Sequence, residues 1–215
     1  IFDFRGFWVD ERIDNKSLNR KLMLDNYFYI FFKYFEKKSL LKSKFIIVLT
    51  KKAKIELIKL YSLNEEKIVI IPCCTDYKKF NIINQSKIAK IKSKYFDNSD
   101  SFIITYIGSL GGVYMLNEML DFFKTFRLIN KNAIFQILTN QKSIANNILI
   151  KSYSELQNYV CIKSVQKSQI PFFLSISNYT LSFINPTYAR QASCPTKLSE
   201  SFAAGIPVIT NQNYG

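Results

Sequence analysis

Two kinds of apolar pattern alternate along the chain. Continuous apolar runs of strand length, such as 45–49 and 102–107, are typical of parallel strands that are covered on both faces. Between these runs, apolar residues recur at spacings of three, four and seven, which is typical of amphipathic helices. Strands and helices that alternate at such short intervals predict βαβ units, and therefore an α/β fold with parallel sheets.

The same patterns predict the individual elements. Strands are expected at 1–3, 45–49, 67–71, 102–107, 133–138, 160–162 and 179–183, with a last strand after Gly205. Helices are expected at 17–39, 51–62, 85–94, 114–128, 141–151, 169–176 and from Pro195 to Gly205. Thr50 and Ser168 are the predicted N-caps of two of them, and 4–11 is predicted to be a loop. The polar, lysine-rich stretch 73–100 is where we place a domain boundary.

Charge and composition narrow the possible partners. The formal net charge is +14, and nine lysines stand against two glutamates between Lys33 and Lys59. Such an excess suggests nucleic acid or an anionic membrane surface, although a solvated helix surface is the simpler interpretation of the lysines. No aromatic RNA-binding motif or helix-turn-helix is apparent, so no nucleic-acid partner is expected. If the lysines are functional, we expect them at the anionic inner face of a membrane.

Several kinds of segment and site are missing from the sequence. It contains no apolar run long enough to span a membrane, so neither a transmembrane helix nor a signal peptide is expected. It lacks an initiator methionine, and its last residues follow directly after a strand, so we expect a piece cut at both ends. There is no histidine, and the four cysteines show no C-x-x-C spacing, which excludes the usual zinc sites and a histidine base. Reduced thiols are expected, and with them a cytoplasmic location.

Two loops at the carboxyl ends of strands could hold a diphosphate. The first contains Gly108, Ser109, Gly111 and Gly112, and the second runs from Ser193 through Thr196 to Lys197. Each opens a helix and can present backbone N–H groups to an anion. A lysine is poorly placed at a helix N-terminus unless an anion binds there.

Further polar residues are site candidates by position. Glu200 falls one helical turn beyond the second loop, where it could accept hydrogen bonds from hydroxyls next to the phosphate. The alternative interpretation of the stretch 192–210 is an ordinary αβ unit in which proline and glycine are only helix caps. Asp3 ends the first predicted strand, and Arg5, Asp10 and Glu11 follow it, at the edge of the sheet where ligands bind. For Asp10 and Glu11 we favour a structural salt-bridge role.

Four motifs in this order carry a resemblance to a known family. They are 2–11, 71–76 with Phe80, 106–109, and Ser193-Cys194-Pro195-Thr196-Lys197 continuing through Glu200 to Gly205-Ile206-Pro207-Val208-Ile209. The chain resembles bacterial glycosyltransferase family 4, whose members are retaining enzymes of the GT-B fold. The resemblance implies two Rossmann-like parallel-sheet domains, both incomplete. Residues 1–76 would be the later part of the acceptor-binding domain, 77–100 a linker with a short helix, and 101–215 a C-terminally truncated donor-binding domain.

The family pattern also implies roles and one departure. Members carry a pair of glutamates around the donor site, and Glu200 matches the one that binds the ribose. The other glutamate, which binds the transferred sugar in the family, falls on Ala192. This suggests that Ser193, Thr196 and Lys197 bind the transferred sugar instead. Many members hold the diphosphate with a basic residue after the first strand of the second domain. Ser109, Gly111 and Gly112 stand there instead, so Lys197 is the candidate replacement.

The implied reaction is sugar transfer from a nucleoside diphosphate sugar, with retained configuration, to a glycan or lipid-linked acceptor. Lys197 and the two N–H loops would stabilise the leaving diphosphate without a metal ion or cofactor. Asp3 or Arg5 would orient the acceptor hydroxyl, whose proton passes to the leaving phosphate oxygen. The alternatives are a GT-B nucleotide-sugar epimerase and a basic membrane-surface module without catalysis. Polysaccharide biosynthesis in the cytoplasm, at the periphery of the inner membrane, is the expected setting.

Overall fold

The structure is a computed structural model that describes residues 1–80, 88, 92, 93, 96 and 100–215. The helix predicted at 85–94 lies largely outside these residues. The chain divides into two compact units. The first unit contains Ile1–Cys73, Asn185–Pro195 and Gln212–Gly215, and the second contains Cys74–Ile184 and Thr196–Asn211. The sequence-based boundary assigned all of 101–215 to one domain, whereas the structure groups 185–195 with the first unit.

The first unit is built on a three-stranded parallel sheet. Its strands are β1 (Phe2–Phe4), β2 (Ile46–Val48) and β3 (Ile68–Ile70), paired in the order β1-β2-β3. Its helices are α1 (Trp8–Asp14), α2 (Met23–Lys42) and α3 (Lys51–Tyr61), and Glu65–Lys67 and Tyr188–Ala192 form 3-10 turns. Thr50 is the N-cap of α3, as predicted, since its Oγ1 accepts the backbone N–H of Ala53 at 3.0 Å.

The sequence prediction is wrong around the first two helices. The stretch 4–11, predicted to be a loop, contains the start of α1, which has no side-chain cap; the acidic residues Asp10 and Glu11 in its first turn are its only start signal. The helix predicted at 17–39 begins only at Met23. Before it, Ser17 Oγ donates to the Arg12 carbonyl and the Asn19 N–H donates to Asp25. These polar side chains satisfy backbone groups locally, which favours a turn over a helix.

The second unit is a doubly wound α/β sheet. Five parallel strands pair in the order β6-β5-β4-β7-β8: β4 (Phe102–Ile107), β5 (Ala133–Leu138), β6 (Val160–Lys163), β7 (Tyr179–Ser182) and β8 (Val208–Thr210). The helices are α4 (Leu116–Ile129), α5 (Lys142–Ser152), α6 (Ile170–Ser175) and α7 (Thr196–Ala203). Shorter 3-10 turns lie at Tyr77–Lys79, Ser154–Tyr159 and Lys167–Gln169. The strand order reverses between β4 and β7, and ligands of such sheets bind at the carboxyl ends of the strands at this switch point.

Both faces of this sheet are buried, as its continuous apolar strands predicted. Tyr106 on β4 packs with Met119 and Phe135 on one face, and Ile103 packs with Phe173 on the other. The predicted N-cap at Ser168 is wrong. That residue lies inside the 3-10 turn before α6, and the N–H of Gln166 is instead satisfied by Gln169 Oε1 at 3.0 Å. The predicted fold class, α/β with Rossmann-like parallel sheets, is confirmed.

Candidate functional site

The glycine turn 108–112 follows β4 at the switch point. Gly108 has a φ of +140°, which side-chain-bearing residues rarely adopt, and its N–H donates to the Leu138 carbonyl at 3.0 Å. A Cβ built on Gly108 would lie 2.9 Å from Nζ of Lys197. Glycine therefore allows the backbone and the lysine amine to lie in contact.

Lys197 lies in the first turn of α7, and its amine rests on two tyrosine rings. Nζ is 3.7 Å from the ring centroid of Tyr114 and 4.5 Å from that of Tyr106. It also donates to the Tyr106 hydroxyl at 3.3 Å, and that hydroxyl donates to the Ser109 carbonyl. Burial lowers the pKa of Lys197 to about 7, and the charge of Glu200 opposes this only in part. A bound anion would favour the charged amine.

Glu200 lies one turn further along α7 and is half-buried. Burial raises the pKa of its carboxyl group, and the charges of Lys167 and Lys197 oppose this shift. Beneath it, Ser201 anchors the helix: its hydroxyl donates to the Lys197 carbonyl at 2.8 Å and accepts from Thr180 Oγ1 at 3.0 Å. The partly desolvated carboxylate is thus held on a fixed helix, suited to accepting hydrogen bonds from neutral hydroxyls.

The other predicted residues of the second unit surround this pair. Gly111 and Gly112 are exposed in the turn, and the Gly111 carbonyl accepts the N–H of Tyr114 at 3.2 Å. Thr196 is the exposed first residue of α7. The structure therefore brings the glycine turn, Lys197 and Glu200 to the same end of the sheet.

A cavity of about 360 Å³ adjoins the glycine turn. Its walls come from three loops at the carboxyl ends of β4, β5 and β6: Ile107, Gly108, Ser109, Leu138, Thr139, Asn140, Gln141, Val165 and Ile170. Gln141 fixes the turn, because its Oε1 accepts the N–H of Leu110. Apolar walls with amide groups at the rim can hold a planar polar ring. Sequence reasoning singled out Gly108 and Ser109 but missed the other lining residues, although the Thr-Asn-Gln run directly after β5 satisfies the strand-end rule applied elsewhere.

Asp3 and Arg5 lie in the first unit, where they pair with each other. Arg5 Nε donates to Asp3 Oδ2 at 2.7 Å, and this bond raises the pKa of Arg5. Both side chains are well exposed. They contribute to the lining of a cavity of about 410 Å³ whose apolar side includes Trp8 and Phe35. The arrangement leaves a polar pair accessible at the carboxyl end of β1.

Asp10 and Glu11 have the structural role that the sequence favoured. Asp10 accepts from Tyr29 and Lys33, each at 2.9 Å, and Glu11 is paired with Arg190. Lys33 also donates to Glu36 at 2.7 Å. Burial lowers the pKa of Lys33, but the two carboxylates together outweigh it and raise the pKa overall. Lys33 is therefore part of a partly buried ion-pair network and not of a solvated lysine surface.

Ser193 and Ala192 also belong to the first unit. Arg190 Nη1 lies 3.4 Å from Ser193 Oγ. Ala192 is 1% exposed and packs in the apolar core that contains Phe4 and Phe7. A carboxylate at this position would be desolvated among apolar side chains, so a small apolar residue suits this packing.

Among residues 1–80, 88, 92, 93, 96 and 100–215, no group of three or more acidic or cysteine side chains is arranged to hold a metal ion. Over the same residues, no helix has the length and apolar character needed to cross a bilayer. None of the four cysteines forms a disulfide.

Comparison with known proteins gives structural relatives only. No family model and no curated protein sequence matches the chain. The crystal structure of WaaG, a glycosyltransferase involved in lipopolysaccharide biosynthesis, is 16% identical and covers 91% of this chain and 51% of WaaG, with a TM-score of 0.67. The crystal structure of a glycosyltransferase from Rickettsia africae is 18% identical in sequence; the match covers 82% of this chain and 47% of that protein, with a TM-score of 0.62. HepE from Anabaena, in complex with UDP and glucose, is 12% identical in sequence; the match covers 80% of this chain and 45% of HepE, with a TM-score of 0.61.

These similarities establish the fold. The chain has the Rossmann-like α/β architecture of GT-B glycosyltransferases and spans about half the length of the three structures. At identities this low, fold does not determine activity.

Proposed function

We propose that the protein is a retaining glycosyltransferase that uses a nucleoside diphosphate sugar as donor. The observation that carries the proposal is the contact of the Lys197 amine with the Gly108 turn at the switch point, with Glu200 one turn along the same helix. A lysine with a suppressed charge in the first turn of helix α7, where the helix N–H groups have no intrahelical partner, fits a diphosphate. The resemblance of the motifs to glycosyltransferase family 4 supports the same conclusion.

Each part of the donor has a proposed place in the second unit. The diphosphate lies against the glycine turn, the start of α7 at Thr196, and Lys197. The ribose hydroxyls donate to Glu200, and the base enters the 360 Å³ cavity beside Gly108. The similar fold of HepE, which was solved with UDP and glucose, supports a nucleotide sugar as ligand.

The proposed chemistry relies on stabilising the leaving group. As the bond from the sugar to the diphosphate breaks, negative charge develops on the phosphate oxygen, and Lys197 and the backbone N–H groups stabilise it. The acceptor hydroxyl attacks from the same face and gives its proton to that oxygen, so configuration is retained. In this proposal Lys197 takes the place of a metal ion, and no cofactor takes part. Ser193 is assigned to the transferred sugar.

The acceptor is proposed to be a glycan or a lipid-linked sugar. Asp3 and Arg5 would orient its hydroxyl, since they form an accessible polar pair beside a 410 Å³ cavity. An anionic membrane surface at the cytoplasmic face is the proposed setting, contacted through exposed lysines such as Lys37, Lys38 and Lys42. Lys33 is excluded from this contact because it is held by two carboxylates.

The test of the reaction uses the intact protein and a panel of nucleoside diphosphate sugars. Release of nucleoside diphosphate in the presence of lipid-linked or oligosaccharide acceptors, with the anomeric configuration read by NMR, is the expected result. Glu200→Gln should weaken donor binding about tenfold, as loss of a charged hydrogen bond predicts, whereas Glu118→Gln, on an exposed helix start, should not. Isomerised nucleotide sugar without transfer would instead indicate an epimerase.

The membrane setting has its own test. Co-sedimentation with vesicles containing phosphatidylserine should exceed that with phosphatidylcholine vesicles and fall with added salt. The combined change of Lys37, Lys38 and Lys42 to glutamine should remove the difference. Equal binding to both kinds of vesicle would contradict the contact.

A further inference from the structure

The amine of Lys197 lies in an unusual environment for a cation. Its neighbours are the faces of Tyr106 and Tyr114, and among the described residues the Tyr106 hydroxyl is its one hydrogen-bond partner. Tyr106 is fully buried, and burial raises the pKa of its phenol, so the hydroxyl keeps its proton and donates it to the Ser109 carbonyl. The two tyrosines, which we call the tyrosine cage, thus tie the amine to the glycine turn.

We propose that Tyr106 and Tyr114 are positioning residues that keep the Lys197 amine desolvated over the Gly108 turn, and that the amine takes up one proton from solvent when a nucleoside diphosphate binds. This inference rests on the proposed function. It adds that donor binding is linked to protonation and that the cage sets the linkage.

The charges around the amine support this linkage. Among the residues that the structure describes, Glu200 on the same helix is the one charged group that raises the pKa of Lys197, and no hydrogen bond joins the two side chains. From β4 and the turn after it, the facing titratable groups are Tyr106 and Tyr114. The turn Tyr77–Lys79, which also contacts α7, carries two lysines, one of which is paired with Asp76. No carboxylate among the described residues pairs with the amine.

Ring faces attract a cation, but this attraction is weaker than the hydration of the charged amine that burial removes. The pKa of Lys197 therefore falls to about 7. At pH 8, one unit above that value, about one amine in ten is charged in the empty site. A diphosphate brings at least two negative charges to hydrogen-bonding distance and restores the charged form. Binding at pH 8 should therefore take up close to one proton.

Isothermal titration calorimetry of the intact protein measures this uptake. UDP, GDP and ADP are titrated at pH 8 in HEPES and in Tris, and the dependence of the apparent enthalpy on the buffer's ionisation enthalpy gives the number of protons. At pH 8 the terminal phosphate of each nucleotide is already ionised, because its second pKa is about 6. Uptake close to one proton with at least one nucleotide is the expected result.

Variants separate the cage from mere folding. Tyr114→Ala opens one side of the cage to water, so the pKa of the amine should return toward about 10.4 and uptake at pH 8 should fall to near zero while binding persists. Lys197→Met should also show no uptake. Tyr159→Ala, a change at another partly exposed tyrosine of the same unit, should leave uptake unchanged.

The outcomes are distinguishable. Nucleotide binding with no proton uptake by the unchanged protein, or with the same uptake after Tyr114→Ala, would overturn the cage inference while leaving the proposed function intact. Failure of all three nucleotides to bind would contradict the proposed function, and the inference with it.

Discussion

Replacing Lys197 by methionine should stabilise the second unit at low pH and destabilise it at high pH. Burial lowers the pKa of this amine from 10.5 to about 7. Between these two values the unfolded chain holds a proton that the folded chain has released, so stability rises with pH. Below pH 7 the folded state carries the full penalty of a desolvated charge. Methionine keeps the length and the contact with the rings without that charge.

The magnitude follows from the same shift. A pKa lowered from 10.5 to about 7 corresponds to about 5 kcal/mol of lost stability below pH 7. The variant loses the hydrogen bond to Tyr106 and some packing, which together contribute about 1 to 2 kcal/mol. We therefore expect Lys197→Met to be more stable by about 3 kcal/mol at pH 6, and less stable by about 1 kcal/mol near pH 10.

Urea denaturation at pH 6, 8 and 10 tests this, with hydrogen exchange of the β4 amides used to report on the second unit. Lys131→Met, at an exposed position of the same unit, is the control and should show no change of sign with pH. A variant that is destabilised equally at pH 6 and pH 10 would refute the burial argument. The same substitution should weaken nucleoside diphosphate binding, so stability and function would move in opposite directions.

Three further changes test other parts of the account. Gly108→Ala should cost about 1 to 3 kcal/mol of stability, because its φ of +140° strains any side chain and the added methyl meets Lys197, and calorimetry of thermal unfolding measures this. Lys33→Met should cost about 3 kcal/mol in urea denaturation by leaving two partly buried carboxylates uncompensated, whereas Lys38→Met at an exposed site should cost little. Glu200→Gln should raise thermal stability at pH 7 but not below pH 4, because the pKa of a carboxyl group raised by burial makes folding less favourable as pH rises through it; equal effects at both pH values would contradict this.

The sheet of the second unit could be predicted closely from the sequence. The bounds of β4 and β5, 102–107 and 133–138, are those of the apolar runs, because strands buried on both faces tolerate few polar residues. The placement of the glycine turn and the start of α7 at the same end of the sheet could be predicted from one rule, that loops at the carboxyl ends of parallel strands lie at the same edge.

The tyrosine cage could not be predicted in this way. The sequence pattern predicts that Tyr106 is a core residue of β4 and that Tyr114 begins a helix. Only the folded backbone, with Tyr114 bridged to Gly111 and Ile184, places both rings beside one amine. The cavity beside Gly108 is built from three loops that are far apart in the chain. The spacing of apolar residues along the sequence does not indicate which distant loops lie together.

The compact units do not follow the order of the chain, on which the predicted domain boundaries were based. The stretch 185–195 follows a strand of the second unit, yet it packs with α1 and α3 of the first, where the backbone N–H of Ala189 donates to Asp14 at 2.9 Å. Similarly, Lys33 stands in a lysine-rich run, but its partner Asp10 lies 23 residues away. Long-range pairing of this kind overrides what a local charge pattern suggests.

The most direct test of the central claim, that a nucleoside diphosphate binds at the switch point of the second unit, is a hydrogen-exchange footprint. Exchange of the intact protein is measured by mass spectrometry with and without saturating UDP, GDP or ADP. We predict slower exchange in peptides that cover 105–112, 139–141 and 196–203, and loss of this protection in Lys197→Met. Unchanged exchange in these three segments, or protection confined to the first unit, would contradict the account.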